Sequence, residues 1–198
     1  MSRCRAGRRH ANSWFNQPRA TIGFAGLLLL VFACAGSLKL LATTVERFTL
    51  EDLSLRSHAI VQGVVRGSRS FWTSDRRLIL TSTTLEVTET LKGQPGRIIE
   101  VTTVGGQVGE TALHVSGMPA FTAGENAIVF MENSGAYLTV LGMSQGKFTI
   151  SNEQARNSVS GLNFADGAAS SNTQLPLQSL KNAIRSALEQ EKRKGTGR

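Results

Sequence analysis

Residues 78 to 91, LILTSTTLEVTETL, run for fourteen positions without a glycine or proline and are dominated by β-branched and leucine side chains. That composition predicts a strand. At ~3.3 Å per residue it would reach about 46 Å, more than twice the ordinary strand. A strand of that length bends or bulges in order to serve two sides of a closed sheet. Leu85 and Val87 share one parity, Glu86 and Thr88 the other. Glu89 then interrupts the apolar face, which marks a bulge or the mouth of a barrel.

The neighbouring segments read as further strands. KGQPG (92–96) is a Gly/Pro turn, and RIIEVTTV (97–104) returns as the next strand. AIVQGVV (59–65) is a buried strand, and RGSRSFWTSDRR (66–77) forms the hairpin tip between it and the long strand. Downstream, GGQVGE is a glycine-rich loop, TALHV a short strand and SGMPAFTAGE a second loop. NAIVFME (126–132) is apolar on both parities and predicts a strand covered on both faces. YLTVLG and QGKFTI complete the set. Six to eight short strands with tight connections predict an all-β chain with a small α contribution, built as an antiparallel β-barrel.

Helical signals occur at the two ends. Thr49 with Asp52 three residues later approximates a capping box ahead of Leu50 and Leu53. Pro176 stands where a first helical residue would, and Leu177, Leu180, Ile184, Ala187 and Leu188 follow at helical spacing. The expected organisation is a barrel domain over 43–150, a polar linker over 151–174 and a C-terminal amphipathic helix over 175–194.

Residues 1–42 read as a secretory signal or membrane anchor. Arg3, Arg5, Arg8, Arg9 and Arg19 precede the uncharged run TIGFAGLLLLVFACAG. Cleavage near Ala42 is favoured over acylation at Cys34, because apolar sequence rather than a polar tether follows Cys34. Retention of 21–41 as an anchor is the third outcome. This segment holds six of the 22 basic residues and none of the 14 acidic ones. The rest of the chain therefore has 16 basic and 14 acidic residues, a net charge of +2. The high pI is largely a property of the leader, which weakens any phosphate-binding reading. Both cysteines, Cys4 and Cys34, also lie there, so the exported part has no thiol nucleophile, disulfide or cysteine metal ligand.

The motifs that would carry chemistry fall short on context. VGGQVGE lacks a following Gly-Lys-Ser/Thr and a helix N-terminus, and reads as a strand-to-strand turn. His58 and His114 have neither helical spacing nor cysteine partners, so no metal site is expected. Ser57 and His58 are adjacent on an extended chain and point apart. Asp52 and Asp75 have capping and turn roles, and Glu86 lies on the polar parity of a strand, so no catalytic residue is assigned. The outward parity Ser82, Thr84, Glu86, Thr88, Thr90 has no aromatic for base stacking, which argues against nucleic acid. One element stands out for binding: Arg69, Phe71, Trp72, Arg76 and Arg77, arginines beside aromatics on an exposed hairpin. The alternative is that Phe71 or Trp72 folds back and closes the barrel end.

The order of these pieces resembles a known family. A short helix, SHAIVQGVV, TLEVTETLKG, IIEVTTVGG and FTAGENAIVFM are similar to the OB-like domain of tissue inhibitors of metalloproteinases and to netrin-like modules. The LKG turn and the closing QGKF also resemble exported bacterial proteins of unknown function. The resemblance covers about residues 47–150 and implies an OB-like β-barrel over 43–150. It implies a protein partner, with a metalloprotease as the specific case, and contact through an N-terminus that here would begin near Thr43-Thr44. The inhibitors use an N-terminal cysteine to chelate the protease zinc, and no cysteine follows residue 42 in this chain.

The reading is thus an exported, non-catalytic binding module with no cofactor. Its rivals are an envelope structural protein that touches the membrane only through an uncleaved N-terminal segment, and an unrecognised hydrolase.

Overall fold

The computed structural model describes residues 44–196. Thr43 and the whole of 1–42, with their cleavage, acylation and anchoring alternatives, lie outside the described residues. The described chain is mostly β, with two helices.

The first helix, α1 (Leu50–Arg56), starts where the sequence places it. The Thr49 hydroxyl accepts the Asp52 amide at 3.0 Å, and the Asp52 carboxylate accepts the Thr49 amide at 2.9 Å. Two orphan donors of the first turn are satisfied reciprocally, so an aspartate completes the capping box here. Two fourteen-residue strands follow, β2 (Ala59–Trp72) and β3 (Ile79–Lys92), paired along nearly their full length.

Three register shifts interrupt that pairing, between Ile60 and Val61, Gln62 and Gly63, and Val65 and Gly67. Leu91 and Thr88 are the extra residues on β3, and Arg66 is the extra residue on β2. Each bulge adds local bend and twist. The expected interruption near Glu89 is therefore a bulge at Thr88, with the Glu89 carboxylate accepting bonds from Lys181 at 2.6 Å and Arg185 at 2.9 Å.

The remaining strands are β4 (Ile98–Val104), β7 (Asn126–Ser134) and β8 (Tyr137–Val140), with a small hairpin of β5 (Gly106–Val108) and β6 (Thr111–Leu113) between β4 and β7. β2 pairs with both β3 and β7, β3 with β4, and β7 with β8, all antiparallel. A parallel pairing of Thr102 in β4 with Thr139 in β8 closes the circuit β7–β2–β3–β4–β8–β7.

β7 is covered on both faces, as its sequence requires. Ala127, Val129 and Met131 join Ala59, Val61, Val65, Leu85, Val101 and Val140 in one core cluster. Ile128 and Phe130 join Leu53, Ile60, Leu141, Phe148 and Ala155 in another. The second helix, α2 (Leu177–Thr196), docks on that second cluster through Leu177, Leu180 and Ile184.

The segment 151–174 corrects the sequence reading. It is not a linker but part of the packed unit. β9 (Lys147–Ser151) turns into β10 (Gln154–Arg156), which also pairs with β12 (Gln174–Pro176) at the foot of α2. Between them β11 (Asn163–Phe164) runs parallel to β1 (Thr44–Val45). Val159, Leu162 and Phe164 bury against Val45 and Met143 as a third small cluster. Three apolar side chains spaced through polar sequence suffice, because the Asn157 side chain accepts the Thr173 amide at 2.7 Å and the Asn172 side chain accepts the Val159 amide at 2.9 Å. Among the described residues no helix is long and apolar enough to cross a membrane.

Candidate functional site

The tip of the β2–β3 hairpin is a six-residue loop held by its own bonds. The Thr73 amide donates to the Leu78 carbonyl at 2.9 Å, and the Arg76 amide to the Thr73 carbonyl at 2.8 Å. The Thr73 hydroxyl donates to Asp75 at 2.6 Å and accepts the Leu78 amide at 3.1 Å. The Arg77 amide donates to the same carboxylate at 3.2 Å. The Thr73 hydroxyl first, and then the Arg77 amide, hold the Asp75 carboxyl below the usual carboxylate range. Arg76 adopts a left-handed conformation, φ 54°, which closes the loop.

The side chains on this hairpin divide by face. Arg69 and Phe71 share one face, with the guanidinium carbon 5.6 Å from the ring centroid. Ser68, Ser70 and Trp72 alternate with them and take the other face. Trp72 is 36% exposed, and Leu78, which the sequence reading did not single out, is 44% exposed. Arg76 and Arg77 are exposed at the loop itself. Arg77 has Asp75 at 3.7 Å, while no carboxylate of the described residues pairs with Arg69 or Arg76. The tip is therefore a rigid, net-positive end with two apolar side chains in water. Trp72 and Phe71 do not form one aromatic patch, because they leave opposite faces of the strand. Thr44 lies in the small sheet with Asn163 and is not part of this hairpin.

A second feature lies on the hairpin's other face. A cavity of about 310 Å³ is lined by Ser68, Ser70, Thr81, Thr83 and Thr103, with His114 and Phe121 among the residues of its far wall. The sequence contains these hydroxyls in plain view, but the bulge at Arg66 decides that Ser68 and Ser70 share the face of Thr81, Thr83 and Thr103, with Ser68 at the exposed rim. Without it, Gly67, Arg69 and Phe71 would continue the face of Val65, since a one-residue slip exchanges the two faces.

The residues that sequence reasoning discounted are occupied locally. Asp52 is bonded to Thr49, and Glu86 to Arg66 with Arg97 at 3.7 Å. The Arg66 hydrogen bonds and charge are the leading cause that lowers the Glu86 pKa. His58 and His114 belong to different cavities, His58 beside Gly93 and Tyr137, His114 beside the hydroxyls. Among the described residues no group of three or more His, Cys, Asp or Glu side chains is placed to hold a metal ion. Comparison of the chain with protein-family models, curated proteins and solved structures finds no match.

Proposed function

We propose that the chain is an exported, non-catalytic binding module built on an OB-like barrel, contacting a protein partner through the β2–β3 hairpin tip. The pairing circuit supports the OB-like part. Numbered in chain order, its five strands follow one another as 1-2-3-5-4, with the third and fifth parallel. An OB-fold is a five-stranded, partly open Greek-key barrel whose first hairpin loop frames the binding surface.

The observation that carries the partner reading is the tip itself: Trp72 at the end of β2 and Leu78 on the self-bonded loop, both exposed, beside Arg76 and Arg77. Interface cores concentrate aromatic side chains and arginine, and a rigid loop loses little entropy when it docks. The partner surface is accordingly apolar at its centre and acidic at its rim. A metalloprotease is the specific partner that the resemblance to the inhibitors' OB-like domain implies.

Photo-crosslinking in the native exported fraction tests this. A benzophenone side chain replacing Trp72 or Leu78 should give one discrete adduct that is lost when Arg76 and Arg77 are both changed to Glu. The same side chain at the exposed Thr88 should give none. Equal adducts from all three positions, or none from the tip, would remove the hairpin from the function. Titration of the purified protein against a zinc endopeptidase tests the specific version.

A further inference from the structure

On three strands of the circuit, the inward face changes from apolar to hydroxyl-bearing toward the hairpin end, together on β2 and β3 and one inward pair later on β4, where Val101 lies opposite Thr83 and Thr103 opposite Thr81. On β3, Leu85 gives way to Thr83 and Thr81; on β4, Val101 gives way to Thr103; on β2, Val65 gives way, through the Arg66 bulge, to Ser68 and Ser70. The sheet interior is thus apolar at depth and hydroxyl-lined at this end. Thr83 is almost fully buried, at 1% exposure.

The hydroxyls can be counted proton by proton. Gln107 donates its amide to Ser70, Thr81 donates to the Gly105 carbonyl at 2.6 Å, and Ser70 lies 2.9 Å from Thr81. Since the Thr81 proton goes to Gly105, Ser70 is the donor in the Ser70–Thr81 pair, and both protons are used. Ser68 and Thr83 lie 2.9 Å apart and share one proton, leaving the other without an acceptor among the described residues. The Thr103 hydroxyl and the His114 ring likewise have no hydrogen-bond partner among the described residues. Phe121, Leu113, Val115 and Met118 supply apolar wall. No Asp, Glu, Lys or Arg lines the cavity.

We infer that this hydroxyl-lined end of the sheet is a binding site for a neutral sugar ring, separate from the protein-binding tip. A saccharide ring has hydroxyls around its edge that both donate and accept, matching Ser68, Thr83, Thr103 and His114. Its C–H face is apolar and matches the Phe121 side. No charged side chain lines the cavity, and the Lys147 ammonium, 4.9 Å from the Phe121 ring centroid, is paired with Glu125, so the lining itself selects against anionic and cationic ligands, whose desolvation it would not offset. At about 310 Å³ the cavity lies near the ~300 Å³ lower bound of small-molecule sites, which limits it to a ligand of about this size.

The test is titration of the purified full-length protein with D-glucose, D-galactose and N-acetyl-D-glucosamine, followed by amide and methyl NMR shifts. Glucuronate and adenosine serve as comparison probes. At least one neutral sugar should give saturable shifts at Thr83, Thr103, Gly105 and His114, with glucuronate and adenosine weaker. Thr103→Val and His114→Ala should each weaken that sugar about tenfold, the effect of losing one hydrogen bond to a neutral ligand, without altering the thermal transition. No saturable shift with any neutral sugar would overturn the assignment, as would tighter binding of glucuronate or adenosine. Binding unchanged in both variants would place the site elsewhere.

Discussion

Glu125 and Lys147 show how one ion pair can be structural and pH-sensitive at once. Both side chains are only 11% exposed. The Glu125 carboxylate accepts from Lys147 at 2.5 Å, from the Thr149 hydroxyl and from the Thr122 amide at 3.0 Å. Lys147 also donates to the Ala120 carbonyl at 2.5 Å. Desolvation is the largest single influence and raises the Glu125 pKa, but the bonds from Lys147, Thr149 and Thr122 together outweigh it, so the carboxyl titrates below its usual range. A depressed folded value means that this stabilisation is present above the unfolded pKa, near ~4.3, and is lost as the pH falls through the folded value. Glu125→Gln should therefore lower stability at neutral pH by about 3 kcal/mol, because it leaves a nearly buried ammonium without its counter-charge. The difference from wild type should shrink as the pH falls below the unfolded value, near ~4.3, and vanish below the depressed folded one, where the native carboxylate is itself protonated. Urea denaturation between neutral and acid pH checks both parts, and parallel curves would exclude Glu125 as a contributor. Nothing in the sequence marked this pair. Glu125 reads as a loop residue and Lys147 as part of the closing strand QGKFTI until the pairing of β7 with β9 brings them together.

Among the elements, the β2–β3 hairpin was the most legible and also the most deceptive. Its strand length, its need to bend and the interruption near Glu89 follow from composition and are present in the structure. The side-chain faces beyond Val65 were not legible, because a bulge at a surface arginine leaves no mark in a hydropathy pattern. Arg69, Phe71 and Trp72 read as one patch for another reason: RGSRSFWTSDRR reads as a hairpin tip from Arg66 on, whereas β2 continues to Trp72 and strand alternation sends Phe71 and Trp72 to opposite faces. The glycine-rich stretch that follows β4 reads as a loop, whereas Gly106–Val108 form strand β5 and the turn is confined to Gly109-Glu110. Gly106 has φ 128°, and a Cβ there would lie 2.3 Å from both Ser70 Oγ and Thr81 Oγ1. Gly106→Ala should cost about 1–3 kcal/mol, since it combines backbone strain with disruption of the Gln107–Ser70–Thr81–Gly105 chain. Gly109 is a control: its φ is 59° and nothing lies within 4 Å of its would-be Cβ, so Gly109→Ala should cost about 1 kcal/mol. Thermal unfolding compares the two variants. Amide exchange at Gln107 should quicken only in the first, and equal exchange in both would show that the hydroxyl chain does not hold β5 in place.

At the scale of the whole molecule, the C-terminal quarter decides whether the strands can fold at all. The apolar stripe of α2 was visible as Leu177, Leu180 and Ile184 at helical spacing, and these residues are buried. What the sequence concealed was the path to the helix, because small polar residues read as a linker when their partners are other loops. β10 and β12 extend the sheet beyond β9, and α2 covers Ile60, Ile128, Phe130 and Phe148, the outer face of the strands it packs against. Lys181 and Arg185 then reach back to Glu89 beside the Thr88 bulge, tying the helix to the most bent part of β3. A chain ending at residue 150 would leave that apolar face in water, so it should aggregate or lack a cooperative transition rather than fold as an independent domain. Ile184→Ala in the full chain tests the same coupling more gently. Ile184 is fully buried, and its truncation should cost about 2–5 kcal/mol. If helix and sheet form one cooperative unit, far-ultraviolet circular dichroism and tryptophan fluorescence should report the same lowered midpoint in a Trp14→Phe background, where Trp72 on the distant hairpin is the sole tryptophan. A helix that melts first, with the Trp72 signal unmoved, would make α2 an appendage and restore an autonomous sheet domain.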